Sequence, residues 1–402
     1  MNHHFCLAMD VAKGKSMACL VSDEGEILMG PKEFSHHTKG LEELFLAAES
    51  ISGDYAVIME ATGIYHKPPE GFFKSKGKDV IVANPLLTSM ARATLRKTKT
   101  DKTDSEMLAA SYFNRMYSDS ASPDALQSQS RLIELLTEQR SKLKVLIRER
   151  CHICFPSLEE SLDSDAFFRA GTMRLLASCP HPAKVRRRRA ETIASLLAGG
   201  KEEAYRCMRL AERILGAARS DFAPSVGEDS LVCHALSFLA TDYARLEDDI
   251  ERESAVLEQR AREKFPFDVW RTFPGIGERL AAYLTVELGD LTRFENEKKL
   301  TAYCGLDPTI VQSGRTIDYH GPISKRGNSH ARLHLFQAVL SILRSDGCLG
   351  EESDITAYYR KKRAEGKHHY EAVTACSTKL LRKMYFRSKD SKRDQAAAPA
   401  AL

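Results

Sequence analysis

Strand signals fade at about residue 125 and stay absent to about residue 265. Over that interval the apolar residues fall at 3-4 spacing. Ile133, Leu136, Leu143 and Ile147 form one run with Arg140 interrupting, and Leu236, Leu239, Tyr243, Leu246, Ile250 and Leu257 form another with Glu253 interrupting. Side chains three and four apart share one face of an α-helix, so each run predicts a long helix with a single apolar stripe that must be covered. Two such stripes in one chain cover each other, which predicts a middle built on two long, paired helices. One core rarely grows beyond about 250 to 300 residues, so a chain of 402 split by this rod is expected to form three domains. We place them at 1–120, 121–264 and 265–388, followed by a frayed tail over 389–402.

The first segment alternates short apolar runs with turn signals. "FCLAM" before Asp10 reads as a buried strand, and "SMACLVSDEGEIL" as two strands around an acidic, Gly-containing turn. A helix is expected from Thr38 to about Ser50. "YAVIM" then delivers Glu60 at its end, "DVIVANP" is a strand closed by Asn84 and Pro85, and "TDSEMLAASYFNRM" reads as a helix. The order is β-β-β-α-β-α-β-α. The segment from Phe265 reads as mostly helical.

Hydrophobic residues make up 43% of the chain and charged residues 28%, and no window approaches the roughly 18 apolar residues a membrane span needs. No export signal is evident at the N-terminus, so the expected address is the cytoplasm. The ten cysteines lack framework spacing, and reduced thiols are expected. Cys151 and Cys154 in "CHIC" have no further zinc ligands nearby and read as buried helix residues. Net charge is only +4, but residues 360–394 hold 12 Lys and Arg against 4 Asp and Glu. Arg186 to Arg189 read first as a solvated charge run, and second as a phosphate-binding patch.

Asp10 and Glu60 sit at or just past the ends of predicted buried strands, where an open α/β sheet places its working groups. Asp101 and Asp104, three apart at a predicted helix start, share one face of the first turn. Singly, each has a plain structural reading as a helix cap or turn residue. Gathered together, four carboxylates would repel one another unless cations held them. Two Mg²⁺ ions, with Mn²⁺ as a substitute, would resolve the conflict and suit phosphoryl transfer. Arg96, Lys97, Lys99 and Lys102 lie close in sequence and could meet the phosphates.

In the last segment "PGIG" resembles a helix-hairpin-helix loop, in which Gly275 and Gly277 would let backbone N–H groups approach a phosphate; a plain helix-helix turn explains it as well. "VQSGRTIDYHGPISKRGNSHARLH" reads as a polar loop carrying Ser313, Arg315, Ser324, Lys325 and Arg326. A loop serine is ordinarily inert unless a base or metal activates it, and spacing alone does not promote Ser313.

"MDVAK", "MEATGIY", "VANP" and "KTDKTDSEMLA", then "FPGIG", "YCGLDP", "QSG" and "ISKRGN", resemble the insertion-sequence 110 family of DEDD transposases across about half the chain. The resemblance implies an α/β ribonuclease-H-like (RuvC-like) N-terminal domain, an all-α coiled-coil middle that assembles subunits, and a mostly α C-terminal transposase domain. Asp10, Glu60, Asp101 and Asp104 fall on the family's metal-binding tetrad. Ser313 falls on the serine that attacks DNA, with Ser324 as a rival and Tyr65 as a weaker one. Implied partners are donor and target DNA, a structured guide RNA encoded by the element, and further copies of the chain in a dimer or tetramer whose sites are composite. The alternatives are a Holliday-junction-resolving nuclease of the same fold, which would use water and leave free ends, and a non-catalytic nucleic-acid scaffold.

Overall fold

The structure, a computed structural model, describes residues 3–60, 63–83, 101–113, 125–163, 166–200, 202–220, 226–313, 317–350 and 352–397; the side chains of 101–104, 310–320, 349 and 395–397 are not described. The chain forms two compact units that divide between Asp124 and Ala125.

In the first unit, β1 (Phe5–Ala12), β2 (Lys15–Ser22), β3 (Ile27–Ser35), β4 (Tyr55–Glu60) and β5 (Val80–Ala83) make one sheet in the order β3-β2-β1-β4-β5. β1, β2 and β3 pair antiparallel, whereas β1–β4 and β4–β5 are parallel. The helices are α1 (Thr38–Glu49), α2 (Lys67–Ser75) and α3 (Asp101–Phe113), so the expected element order is the observed one among the described residues. Alternation along the strands divides the core in two. Leu7, Met9, Val57 and Met59 face Leu44 of α1 and Phe73 of α2, while Cys6, Ala8, Ala56 and Ile58 face Leu108, Ala109 and Tyr112 of α3. Both faces are covered, which is why β1 and β4 are apolar at nearly every position.

The second unit opens with the two long helices read from the sequence, α4 (Ala125–Cys154) and, after shorter ones, α10 (Leu231–Arg262). Between them lie α5 (Ser157–Glu160), α6 (Ala170–Ser178), α7 (Pro182–Arg186), α8 (Ala190–Ala198) and α9 (Met208–Ser220). α4 and α10 pack antiparallel, with Gln129 bonded to Glu253 and Arg140 to Glu247. These pairs use the polar residues that interrupt the two apolar stripes. Cys151 and Cys154 are buried, and the ten cysteines carry free thiols. Arg187 pairs with Glu228, and Arg187 to Arg189 are exposed.

The remainder comprises α11 (Phe267–Arg271), α12 (Glu278–Leu288), α13 (Glu297–Tyr303), the hairpin β6 (Pro308–Ser313) and β7 (Ile317–Ile323), then α14 (Ser329–Leu349), α15 (Asp354–Ala364) and α16 (His369–Ala397). Its core runs across residue 265, joining Leu246, Ile250 and Leu257 of α10 to Trp270, Leu284, Leu335 and Leu381. α16 continues as helix to Ala397, through most of the stretch read as a tail.

The hairpin corrects the reading of 311–323 as a loop. "TIVQS" and "TIDY" are rich in β-branched and aromatic residues around a Ser-Gly turn signal, and the two strands pair from Pro308↔Ile323 to Ser313↔Ile317. Among the described residues no helix is long and apolar enough to cross a membrane.

Candidate active site

Parallel pairing of β1 with β4 runs from Phe5↔Tyr55 to Met9↔Met59. Asp10 and Glu60 are the next residue on each strand, so their backbones lie about 4.8 Å apart across the sheet. By strand alternation both fall on the face that α3 covers, in line with Ala8 and Ile58. Asp10 is not past its strand, as expected from sequence, but inside it. β1 runs on to Ala12 through its antiparallel pairing with β2, where Asp10 faces Met17. Glu60 closes β4 and is 8% exposed.

Helix α3 begins at Asp101. Its buried Ser105 hydrogen-bonds the Cys19 thiol, whose pKa burial pushes up to about 11 against the lowering effect of that bond. Cys19 is the partner of Ala8 on β1, and Ala8 is roughly 6.7 Å along the strand from Asp10. The backbone of the first turn of α3, which carries Asp101 and Asp104, therefore leads directly into a residue anchored beside the Asp10 strand. The side chains of both aspartates, and that of Lys102, lie outside the described residues, as do Arg96, Lys97 and Lys99 in full. Tyr65 is exposed on the turn before α2.

In the second unit Ser313 ends β6, paired with Ile317; Arg315 lies outside the described residues. Ser324 has a different position. Its Oγ donates to Asp307 Oδ1 at 2.7 Å and accepts from the Arg326 backbone N–H at 3.3 Å, which ties the chain leaving β7 to the chain entering β6. Lys325 and Arg326 are exposed on the loop that follows, and Lys325 has φ 55°, the one non-glycine positive φ among the described residues.

Sequence reasoning missed what fixes this loop. Gly305 and Gly327 meet backbone to backbone. A Cβ on Gly327 would run into the Tyr303 carbonyl and lie 2.7 Å from Gly305 N, and Gly305 has φ +62°. Asn328 caps α14, its Oδ1 accepting from His330 and Ala331 N–H at 3.0 Å each. Its amide donates to Glu287 Oε2 at 3.0 Å, and Glu287 is fully buried with Arg131 3.5 Å away. The signals were present: an Asn directly before a helix, and a lone carboxylate in the apolar run "YLTVEL".

The two "PGIG" glycines differ. Gly275 has φ +85°, and a Cβ there would lie 2.9 Å from Ile342 Cα on α14, so glycine is needed for packing against that helix. Gly277 is the exposed residue before α12, with nothing within 4 Å of a Cβ.

Comparison with known families meets this geometry at both ends. A model described as a transposase, of the DEDD IS110 type, matches residues 7–156, and one described as the transposase IS116/IS110/IS902 family matches 268–354. Together they cover more than half the chain. The chain belongs to the IS110 family of transposases. The insertion element IS116 44.8 kDa protein of Streptomyces clavuligerus is 27% identical over 98% of this chain and 96% of its own length. The mini-circle putative transposase for IS117 of Streptomyces coelicolor is 24% identical over 95% of this chain and 92% of its own. A pilin gene-inverting protein of Moraxella bovis is 29% identical over 27% of this chain and 33% of its own. An IS110-family transposase is an enzyme that cuts and recombines DNA, and this transposase carries Asp10 and Glu60 inside the first matched region and Ser313 inside the second.

Proposed function

We propose that this transposase exchanges DNA strands through a covalent phosphoserine link, with Ser313 as nucleophile and Asp10, Glu60, Asp101 and Asp104 as the divalent-metal ligands of a RuvC-like domain. The observation that carries the reading is the β1–β4 register, which sets Asp10 and Glu60 side by side on the face covered by the helix that begins at Asp101. The donors are all carboxylate oxygens, the hard set that Mg²⁺ or Mn²⁺ takes together with water and phosphate. Bound there, such ions would lower the pKa of a nearby hydroxyl and offset charge on a leaving oxygen.

The protein's own part is to bring a hydroxyl to the phosphate. A bond forms from Ser313 Oγ to phosphorus, one bond from phosphorus to a deoxyribose oxygen breaks, the serine proton passes to a carboxylate or water, and the freed sugar oxygen takes up a proton. The ester count is unchanged, so a different strand's hydroxyl can reverse the step and complete the exchange. Ser324 has a structural role in this reading, its hydroxyl bridging Asp307 and the Arg326 N–H at the hairpin base. The name of the Moraxella relative, a pilin gene-inverting protein, fits an enzyme that rejoins what it cuts. The family resemblance implies a composite site, in which the acids of one copy of the chain serve the serine of another. In this reading a structured RNA from the element selects the DNA.

The test is to incubate the purified protein, with its copurifying RNA, with labelled donor and target DNA and Mg²⁺, and then to denature it. A protein–DNA adduct whose linked peptide contains Ser313, lost in Ser313→Ala, supports the reading. Free cut ends without adduct would show a nuclease instead. Adducts persisting in Ser313→Ala would remove Ser313 from its role.

A further inference from the structure

Apart from the acids and Ser313, the second unit holds a basic cleft. It is a cavity of about 950 Å³ between the base of the hairpin and helices α15 and α16. Lys325, Lys367, Lys379 and Arg382 line it, against a single lining carboxylate, Glu371. Among the described residues Lys325, Lys367 and Arg382 form no ion pair, so their charge is available to an outside anion. Two of the cations are held in place. Lys379 Nζ lies 4.8 Å over the Tyr358 ring and donates to the Asp354 carbonyl at 2.8 Å. The Lys325 backbone, in its positive-φ conformation, donates to the Gly305 carbonyl at 3.1 Å. Strain of this kind is retained where the surroundings over-determine it, and here it sets Lys325 at the cleft.

The cleft also has an aromatic wall. Tyr370 lines it and is 64% exposed, with the rings of His368 and Phe336 near-parallel to it at 5.7 and 6.1 Å and His369 edge-on at 5.3 Å. A cationic groove beside an exposed aromatic ring is the pattern that takes unpaired nucleic acid, because phosphates meet the cations and a base stacks on the ring. A duplex hides its base faces and would use only the charge. Pro308 of β6 and Ile323 of β7 form the near wall, and Ser313 lies five residues up β6, roughly 17 Å along the strand.

We propose that this cleft binds a single strand of DNA, with phosphates on Lys325, Lys367, Lys379 and Arg382 and one base stacked on Tyr370. The inference rests on the reading that the chain acts on DNA, and it identifies where an unpaired strand is held while Ser313 engages a phosphate.

The experiment measures binding of a fluorescent, mixed-sequence single-stranded oligodeoxynucleotide to the full-length protein by anisotropy over a range of KCl concentrations. Lys367→Glu/Arg382→Glu should weaken binding more than 10-fold and flatten the plot of log affinity against log salt by about 1.4, since each phosphate contact contributes about 0.7 on single strands. Tyr370→Ala should weaken binding roughly 5- to 100-fold with the salt slope unchanged, a signature that charge alone does not produce. The matched reversal Arg245→Glu/Arg252→Glu on α10 should leave affinity within about twofold, and melting curves confirm that each variant is folded. The proposal is overturned if the cleft reversal is silent, if Tyr370→Ala weakens duplex and single strand equally, or if an oligoribonucleotide loses more affinity than the DNA does. Ser313→Ala should retain strand binding. Loss of the proposed serine chemistry with cleft binding intact would therefore count against the catalytic reading alone, and adduct formation that survives a silent cleft reversal would count against the cleft alone.

Discussion

Replacing Gly327 by Ala tests the backbone contact that holds the Lys325–Arg326 loop. The new methyl would meet the Tyr303 carbonyl, with Gly305 N at 2.7 Å and the Ala302 carbonyl at 2.9 Å, all of them backbone atoms that cannot rotate aside. To make room the loop must move away, and the bonds Asn328 N–H to Tyr303 O (2.8 Å) and Lys325 N–H to Gly305 O (3.1 Å) stretch with it. Each such bond contributes about 1 kcal/mol, and forcing a methyl into a packed site adds about 1–3 kcal/mol. The stiffer unfolded chain returns about 0.4–1 kcal/mol. A net loss of about 3 kcal/mol follows, or a fall of roughly 5 °C in the melting temperature of a unit of this size. Gly277→Ala supplies the control, because it changes the unfolded chain equally but finds nothing within 4 Å. Its expected cost is below about 1 kcal/mol, as for other helix-cap exchanges. Scanning calorimetry of the two variants decides the matter, and equal melting temperatures would refute the argument from close approach.

Asp10→Asn and Glu60→Gln should each reduce strand transfer by at least about 100-fold while moving the melting temperature little, as followed by product gels beside thermal scans. EDTA should abolish transfer and Mn²⁺ should restore it; transfer undiminished by the chelator would contradict metal ligation by these acids. Asn328→Ala removes two bonds to the first turn of α14 and a donor to buried Glu287, and should cost about 2–4 kcal/mol in urea unfolding. Burial pushes the Asp346 carboxyl up, but hydrogen bonds from Ser353 and Thr356 outweigh this and hold its pKa below the usual carboxylate range. A depressed folded pKa stabilises the protein above the unfolded value and loses that contribution as pH falls through the folded one. The stability gap between wild type and Asp346→Asn should therefore be widest near neutrality and close below about pH 4.

The sheet was legible because both of its faces are covered. Runs such as "FCLAM" and "YAVIM" have no polar alternation to obscure them; Glu60 closes its strand as read, whereas β1 runs two residues beyond Asp10 because β2 goes on pairing with it. The long helices were legible from period alone, since their stripes cover one another. The hairpin escaped because Gln312, Ser313, Asp318 and His320 make its strands look polar, and its pairing spans too few residues to establish a period. Glu287 escaped for another reason. Its sequence neighbours predict a helix, but Arg131 and Asn328, which meet it, come from 156 and 41 residues away. Each of these residues carries a local signal, a lone carboxylate in an apolar run and an Asn before a helix, but nothing local says that they meet.

Helices α4 and α10 serve two cores at once. Ile133 and Leu257 belong to one, Ile147 and Leu236 to the other, and the 14 positions from Ile133 to Ile147 span roughly 21 Å. The pair is thus a ruler whose length cannot drift by single residues. One inserted residue turns everything beyond it by about 100°, carrying one core out of register with its cover, whereas seven in each helix restore the phase to within about 20°. Natural length variants of this middle segment should therefore differ by whole heptads in both helices together.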